Sequence, residues 1–221
     1  MIMTFFANFK RSALELKNLR TLCVTAILIA LDLVLKLTVT INVTKDMKIT
    51  FAFLALASIG MLYGPVVAFL AGTVTDVVGF FITPQSGAFN PMYTAIEAIG
   101  GMIYGIFLYN LRFSGTEELG GKFTSKNDVK QILRIIFAKV TVVVICNLLL
   151  TPLALIATAS MEVGTFLYAP TLARYPARLV KNAIQCPVDC VLLLAVLPII
   201  LTAYNRVFRR GKLKVGIDVE M

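Results

Sequence analysis

The stretch that decides the fold reads KITFAFLALASIGMLYGPVVAFLAGTVTDVVGFFI and covers 48–82. It contains two charged residues, and the dipeptide Gly64-Pro65 divides it near the middle. Proline is tolerated at the start of a helix but disrupts its interior, because it lacks an amide proton and its ring clashes with the preceding turn. The stretch therefore predicts two apolar helices, a short one over about 49–63 and a longer one over about 65–83.

The composition of the whole chain agrees with a location in lipid. The chain has 221 residues, of which 58% are hydrophobic and 15% charged, and its mean hydropathy is +0.86. A soluble domain has about a quarter of its residues charged. The length suits about six spans of roughly 20 residues joined by short loops. We therefore expect one membrane domain that covers residues 1–221.

Four further apolar runs complete the predicted bundle. They cover Thr21–Ile41, Met92–Leu111, Asn127–Ala159 and Leu172–Phe208. A polar loop, NVTKDMK, follows the first run, Pro152 predicts a kink in the third, and three prolines lie inside the fourth. The predicted fold class is an all-α integral membrane protein with six transmembrane helices in one bundle.

Basic residues give the predicted orientation. The net charge is +9, and most of the 21 lysines and arginines lie in 10–20, 112–134 and 206–214. With six spans all three zones lie on one side, so the positive-inside rule predicts that both termini are cytoplasmic. Residues 1–20 mix phenylalanines with cations, which predicts an interfacial amphipathic helix. Residues 211–221 are predicted to be a cytoplasmic tail.

Three cations open the last apolar run, in the sequence RYPARLVKN. Arg174, Arg178 and Lys181 are spaced by four and three residues, which places them on one face of a helix. Each would cost roughly 2.5–3.5 kcal/mol at the centre of a bilayer. They therefore predict a site for a ligand with carboxylates or phosphates, which arginine can bind through two parallel hydrogen bonds. For Arg174, at the outer end of the helix, the alternative is that its side chain reaches the lipid headgroups. Asn182 and Gln185 could add hydrogen bonds along the same helix.

Aromatic residues near the predicted outer ends of the helices would suit a planar organic group. Phe89, Tyr93 and Tyr168 are the residues that we assign to it. Together with the cations they predict an outward-facing pocket for a small organic anion.

The other intramembrane charges predict internal ion pairs. Asp32 and Lys36 are four residues apart with the acid first, the favourable order for a pair on a helix. Four more ionisable residues fall in predicted spans: Asp76, Glu97, Lys139 and Asp189. Their charges nearly cancel, so mutual pairing would satisfy several of them. Asp76 suits a ligand group, a helix-packing partner or a gating element equally well.

Several classes of protein are excluded by what the sequence lacks. It contains no histidine, which removes His-dependent triads and His proton relays. There is no GxxxxGK[ST] loop for nucleotide hydrolysis. The four cysteines lie in apolar runs without a CxxC pattern, which favours packing over a metal or redox site. The sequence predicts a protein that is not an enzyme and that needs no cofactor or metal.

Small residues recur at every fourth position in several runs. Ala26 and Ala30 form such a pair in the first run. Pairs of this kind let helix backbones approach closely in lipid. The pair could pack inside this chain or face outward and bind a partner protein.

Three segments carry a resemblance to a known family. They are the 48–82 stretch, then GAFNPMYTAIEAIGGMIYGIFLYNL, then PARLVKNAIQCPVD at 176–189. The chain resembles the substrate-binding S component of an energy-coupling factor (ECF) vitamin transporter, of the folate type. At the loop before the fourth helix it has GAFNPMYT where folate-type members usually show G-P-Y-F-P-G-F-T.

The resemblance implies a function and partners. Such an S component lies in a prokaryotic cell membrane, captures a vitamin from outside, and associates with a transmembrane coupling subunit and two cytoplasmic ATPases. Ala26 and Ala30 match the A-x-x-x-A motif that contacts the coupling subunit. The two carboxylates of folate would then face Arg178 and Lys181, with Arg174 nearer the mouth, and its pterin would stack on the aromatic residues.

Two alternatives remain at this stage. Pantothenate is the second vitamin that we consider, since it carries one carboxylate and no aromatic ring. The other alternative is a structural or assembly membrane protein without a ligand. It predicts no thermal stabilisation by any vitamin, whereas a ligand at 100 times its dissociation constant adds about 2.7 kcal/mol.

Overall fold

The computed structural model describes residues 2–38, 41–44, 47–49, 51–82, 89–111, 126–163 and 168–217. The elements in chain order are α1 (Ile2–Glu15), α2 (Leu19–Thr38), β1 (Ile41–Thr44), β2 (Met47–Ile49), α3 (Phe53–Tyr63), α4 (Pro65–Ile82), α5 (Pro91–Leu108), α6 (Lys126–Val142), a π-helical segment (Val143–Leu150), α7 (Thr151–Val163) and α8 (Tyr168–Ile217).

Among the described residues, five helical stretches are long and apolar enough to cross a membrane. They are Leu19–Thr38, Pro65–Ile82, Pro91–Leu108, Val129–Ala157 and Arg178–Val207. The remaining apolar helix, α3, is shorter, and 8 of its residues are buried: Ala55, Leu56, Ala57, Ser58, Ile59, Gly60, Met61 and Tyr63. A helix that is apolar on all sides suits such a central position. The protein is therefore a multi-pass helical membrane protein, as predicted.

A small hairpin occupies most of the segment for which the sequence predicts a polar loop. Strands β1 and β2 pair antiparallel, with Ile41 opposite Ile49 and Asn42 opposite Lys48. The register shifts between Asn42 and Thr44. The all-helical prediction therefore needs this correction at the end of α2.

Two apolar clusters hold the helices together. One lies between α3, α5, α6 and α8 and contains Ala57, Met61, Tyr104, Leu108, Leu111, Ile135, Ala138, Leu193 and Leu197. The other lies between α2, α3 and α4 and contains Leu28, Leu56, Ile59, Tyr63, Val67, Ala68 and Ala71. Helix α3 contributes to both clusters, so its position fixes the two halves of the bundle relative to each other.

Glycines allow α3, α4 and α5 to touch through their backbones. A Cβ atom on Gly60 would lie 2.7 Å from the amide nitrogen of Gly105. One on Gly72 would lie 2.7 Å from the carbonyl oxygen of Glu97. These small residues therefore serve packing within the chain.

The predicted break between α3 and α4 is stabilised by α1. Gly64 has a φ of +88°, which residues with a side chain rarely adopt. The buried hydroxyl of Ser12 donates to the Tyr63 carbonyl oxygen at 2.7 Å. It accepts from the amides of Val66 and Val67 at 3.0 and 3.3 Å. Ser12 thus acts as an N-cap for α4 that is supplied by another helix.

Replacing Ser12 with alanine should lower the free energy of unfolding by about 1–2 kcal/mol, because loss of an N-cap costs up to ~2 kcal/mol. Thermal unfolding in detergent measures the change. The matched control is Ser58→Ala, since the buried Ser58 hydroxyl bonds within its own helix, to the Leu54 carbonyl at 2.6 Å. Equal losses in the two variants would contradict the capping role of Ser12.

The span that contains Pro152 has an irregular centre. Pro152 has no amide proton, so the Leu148 carbonyl loses its usual helical donor. The backbone adopts π geometry just before it, with the Thr151 amide bonded to the Cys146 carbonyl. The hydroxyl of Tyr175 lies 3.4 Å from the Leu148 oxygen and donates to it. Proline thus explains where the π segment ends and why α8 contacts it there.

Candidate ligand cavity

A cavity of about 450 Å³ lies within the helix bundle. Side chains from α2, α3, α5, the span that contains the π segment, and α8 line it. Five residues predicted from the sequence are among them: Tyr93, Arg178, Lys181, Asn182 and Gln185. Two of the three predicted cations of α8, Arg178 and Lys181, therefore line an internal space.

The other three predicted ligand residues lie elsewhere or outside the described side chains. Phe89 does not line the cavity, and its ring packs against Phe80 with centroids 5.2 Å apart. Arg174 and Tyr168 belong to α8, but their side chains lie outside the part that the structure describes.

One wall of the cavity carries a three-membered ion cluster. The ammonium of Lys36 lies 3.0 Å from a carboxylate oxygen of Asp32, which confirms the predicted pair on α2. It also lies 2.9 Å from a carboxylate oxygen of Glu97 on α5. Lys36 therefore joins two helices and is held by two acids. A ligand would have to compete with both to bind this lysine.

A second ion pair lies at the contact of α6 with α8. Lys139 and Asp189 are 2.8 Å apart, and their side chains are only 7% and 3% exposed. The Lys139 ammonium also lies 3.8 Å from the centroid of the Phe53 ring. Burial in a low-dielectric environment strengthens this pair but makes either charge costly alone. Predicted mutual pairing of the intramembrane charges is thus confirmed for these residues.

Arg178 differs from the cations in these clusters. Among the described residues no carboxylate forms an ion pair with it. The cavity therefore presents at least one guanidinium that is available to an anion from solution.

Asp76 joins helices α4 and α5 through a hydrogen bond. The hydroxyl of Thr94 on α5 donates to a carboxylate oxygen of Asp76 on α4 at 2.6 Å. Asp76 does not line the cavity. Of the three roles predicted for it, the geometry favours the helix-packing partner.

Asn147 and Tyr104 are among the polar residues of the cavity that escaped the sequence prediction. Asn147, in the π segment, donates from its side-chain nitrogen to the side-chain oxygen of Asn182 at 3.1 Å. Tyr104 is 1% exposed, and its hydroxyl has no hydrogen-bond partner among the described residues. Asn147 could have been found, because it is a lone amide in the apolar run VVICNLLL. Tyr104 gives no such signal, since a tyrosine among the small residues of a helix commonly serves only to pack against neighbouring helices.

The cavity combines three kinds of surface. It has a cationic side on α8, amide groups on α8 and the π segment, and the aromatic rings of Phe53, Tyr93 and Tyr104. Among the described residues no group of three or more His, Cys, Asp or Glu side chains could hold a metal ion. The arrangement suits an organic anion with a planar polar part.

The predicted docking pair lies on the outer surface of α2. Ala26 and Ala30 are both exposed, as are Ile27 and Val34 beside them. The opposite side of the helix is buried through Thr21, Thr25, Leu28 and Asp32. No described part of the chain covers the Ala26–Ala30 face.

The fold and the cavity are those of a small multi-pass membrane protein with a polar site inside its helix bundle. Comparison with known proteins gives the family. The family model for the S component of ECF-type riboflavin transporters matches residues 17–196. The chain therefore belongs to this family of transporter S components, and the resemblance read from the sequence is confirmed.

Individual relatives are similar over most of their length. The chain is 27% identical to "Folate transporter FolT" of Clostridium novyi (strain NT) over 178 residues, which cover 80% of this chain and 88% of the relative. It is 27% identical over 191 residues to "Folate transporter FolT" of Streptococcus mutans serotype c, covering 86% and 90%. A crystal structure of FolT bound with folic acid matches with a TM-score of 0.62 and 28% identity, covering 80% of this chain and 92% of that one.

Proposed function

We propose that this protein is the folate-binding S component of an ECF-type importer. The observation that carries the proposal is Arg178, an arginine without a described carboxylate partner that lines a cavity of about 450 Å³. Similarity to two folate transporters and to a folate-bound structure supports the choice of vitamin.

Folate fits the distribution of groups in the cavity. Its glutamate end carries two carboxylates, which Arg178 and Lys181 would bind through charge-assisted hydrogen bonds. Its planar part would contact Tyr93, with Asn182 and Gln185 as hydrogen-bonding groups.

The outer end of the site is proposed from chain position. Arg174 precedes Arg178 by one helical turn, and Tyr168 begins α8. Phe89 precedes Tyr93 by four residues and lies just before α5. We place all three at the entrance, where the carboxylates would first arrive and the planar part would be covered.

Riboflavin is the second candidate, because the matching family model bears its name. Its isoalloxazine ring is planar and would suit the same aromatic and amide groups. It has no carboxylate, however, so Arg178 would remain in the membrane interior without a carboxylate partner among the described residues. The charge of the cavity therefore favours folate.

The membrane topology follows from the same proposal. We place α3 as the sixth, short membrane segment beside the five long ones, in one domain that covers 1–221. Both termini are cytoplasmic, because the basic zones 10–20, 112–134 and 206–214 then share one side. α1 lies at the membrane interface, 211–221 form a cytoplasmic tail, and the membrane is the cell membrane of a prokaryote.

Uptake requires partner subunits in this proposal. A transmembrane coupling subunit binds the exposed Ala26–Ala30 face of α2, and two cytoplasmic ATPases supply the energy. The test is uptake of radiolabelled folate by cells that produce the chain together with an ECF module. Folate uptake that excess folate abolishes and pantothenate leaves unchanged is expected. Uptake of riboflavin or pantothenate instead would overturn the choice of vitamin.

Replacing Ala26 with tryptophan should leave folate binding by the isolated protein within twofold of the original. It should reduce uptake at least ~10-fold, because a bulky side chain prevents the close helix approach that small residues permit. The matched control is Val191→Trp, since Val191 is also exposed (66%) but lies on α8. Normal uptake by the Ala26 variant would remove the docking role.

A further inference from the structure

Two amide side chains that line the cavity are hydrogen-bonded to each other. Asn147 belongs to the π segment, Asn182 belongs to α8, and both line the cavity. The side-chain nitrogen of Asn147 donates to the side-chain oxygen of Asn182 at 3.1 Å. The bond therefore couples the orientations of the two amides.

The position of Asn147 has a structural cause. It is the one polar residue of the π segment Val143–Leu150, and its neighbours are aliphatic residues and a cysteine. π segments are rare and occur frequently at functional sites. A polar amide placed in an apolar helix is costly unless it is hydrogen-bonded, so its presence calls for partners on the cavity side.

Hydrogen-bonding capacity remains after the two amides bind each other. An asparagine side chain has two donor hydrogens and an oxygen with two lone pairs. The shared bond leaves the Asn147 oxygen as an acceptor and the Asn182 nitrogen as a donor. Among the described residues, neither amide side chain makes a hydrogen bond beyond the one that they share. The pair thus presents an acceptor and a donor that the described part of the chain leaves for a ligand.

An acceptor beside a donor is complementary to one edge of a lactam-type heterocycle. In folate the pterin N3–H is a donor and the adjacent O4 is an acceptor. A 4-amino analogue such as aminopterin reverses both, with N3 as acceptor and the amino group as donor. A site with buried polar groups strongly rejects a ligand that leaves those groups without hydrogen bonds. An apolar pocket discriminates between similar ligands much less.

We propose that the Asn147–Asn182 pair reads the N3–H/O4 edge of the pterin and determines specificity for the 4-oxo form. This inference rests on the proposed function and deepens it, since it names the part of the vitamin that each group recognises. The cationic groups on α8 would bind the glutamate end, and the amide pair would select the heterocycle.

Calorimetry on the full-length purified protein tests this with folate and aminopterin, which differ only at position 4 of the pterin. The original protein should prefer folate by at least ~10-fold. Asn147→Leu should weaken folate binding by about 10–100-fold and bring the two affinities within about twofold of each other. Asn182→Leu should do the same, and the double variant should lose little more, because both residues act as one unit.

Two further variants keep the test decisive. Asn147→Asp has nearly the same shape but lacks the donor to Asn182, so it should also lose the preference. It replaces Asn147→Leu in the test if that variant does not fold. Thr141→Val is the matched control, because Thr141 lies on the same span but does not line the cavity, and its hydroxyl bonds to the Phe137 carbonyl at 2.7 Å. It should keep both affinity and preference.

The outcomes separate the inference from the proposed function. A protein that does not bind folate at all refutes the proposed function. Folate binding without a preference over aminopterin, or a preference that survives in the Asn147 variants, overturns the role of the amide pair and leaves the folate proposal standing.

Discussion

Replacing Arg178 with methionine should weaken folate binding by about 10–150-fold. A hydrogen bond to a charged group contributes about 1.5–3 kcal/mol, and each 1.4 kcal/mol is tenfold in affinity. Methionine keeps the apolar stem and removes the guanidinium, so the change reports the charge. Adding Lys181→Met should weaken binding further, because the second carboxylate then loses its partner. Titration calorimetry in detergent measures both.

The matched control for this prediction is Arg134→Met. Arg134 is also a part-buried arginine, but it donates to the Tyr109 carbonyl at 3.3 Å at the end of α5 and does not line the cavity. Its replacement should leave folate affinity within twofold. Unchanged affinity in the Arg178 variant would show that the cavity does not bind a carboxylate there.

Replacing Lys139 with methionine should lower the free energy of unfolding by about 3–5 kcal/mol, the usual cost of leaving one partner of a buried ion pair alone. Asp189 would remain 3% exposed without its lysine. The double variant Lys139→Met/Asp189→Leu should recover most of the loss, because both charges are then absent. Chemical or thermal unfolding in detergent gives the three values.

Lys130→Met is the matched control for the ion pair. Lys130 lies on the same helix, α6, but it is exposed, so its loss should change stability by less than ~0.5 kcal/mol. A double variant as unstable as Lys139→Met alone would mean that lost packing, rather than the uncompensated carboxylate, causes the instability.

The helices were predictable because hydropathy and proline carry the information locally. Gly64-Pro65 divides α3 from α4 where expected, and Ser12 then explains how the break is held. The bounds of α8 were less predictable. It extends from Tyr168 to Ile217, beyond the predicted Leu172–Phe208, and Pro176, Pro187 and Pro198 all lie inside it. Proline removes one backbone bond each time, but continuous packing and lipid keep the flanking turns helical.

The candidate site was predictable only in part. Arg178 and Lys181 stood out because charge conflicts with hydrocarbon, and the structure places both in the cavity. The Asp32–Lys36 pair followed from helical spacing, but its third member, Glu97, lies on another helix and no local pattern relates them. Asn147 bonds to Asn182 because the π segment crosses α8, and the sequence does not show this crossing. Contacts between distant segments are what the sequence alone does not contain.

Titration of the purified chain, without any partner subunit, with folate, riboflavin and pantothenate tests the central claim most directly. We expect one folate to bind per chain, with riboflavin and pantothenate at least ~100-fold weaker. Thermal unfolding at 100 times the folate dissociation constant should then show about 2.7 kcal/mol of added stability. Riboflavin binding without folate binding would contradict the anion site that we assign to Arg178, and binding of none of the three would contradict the proposed function.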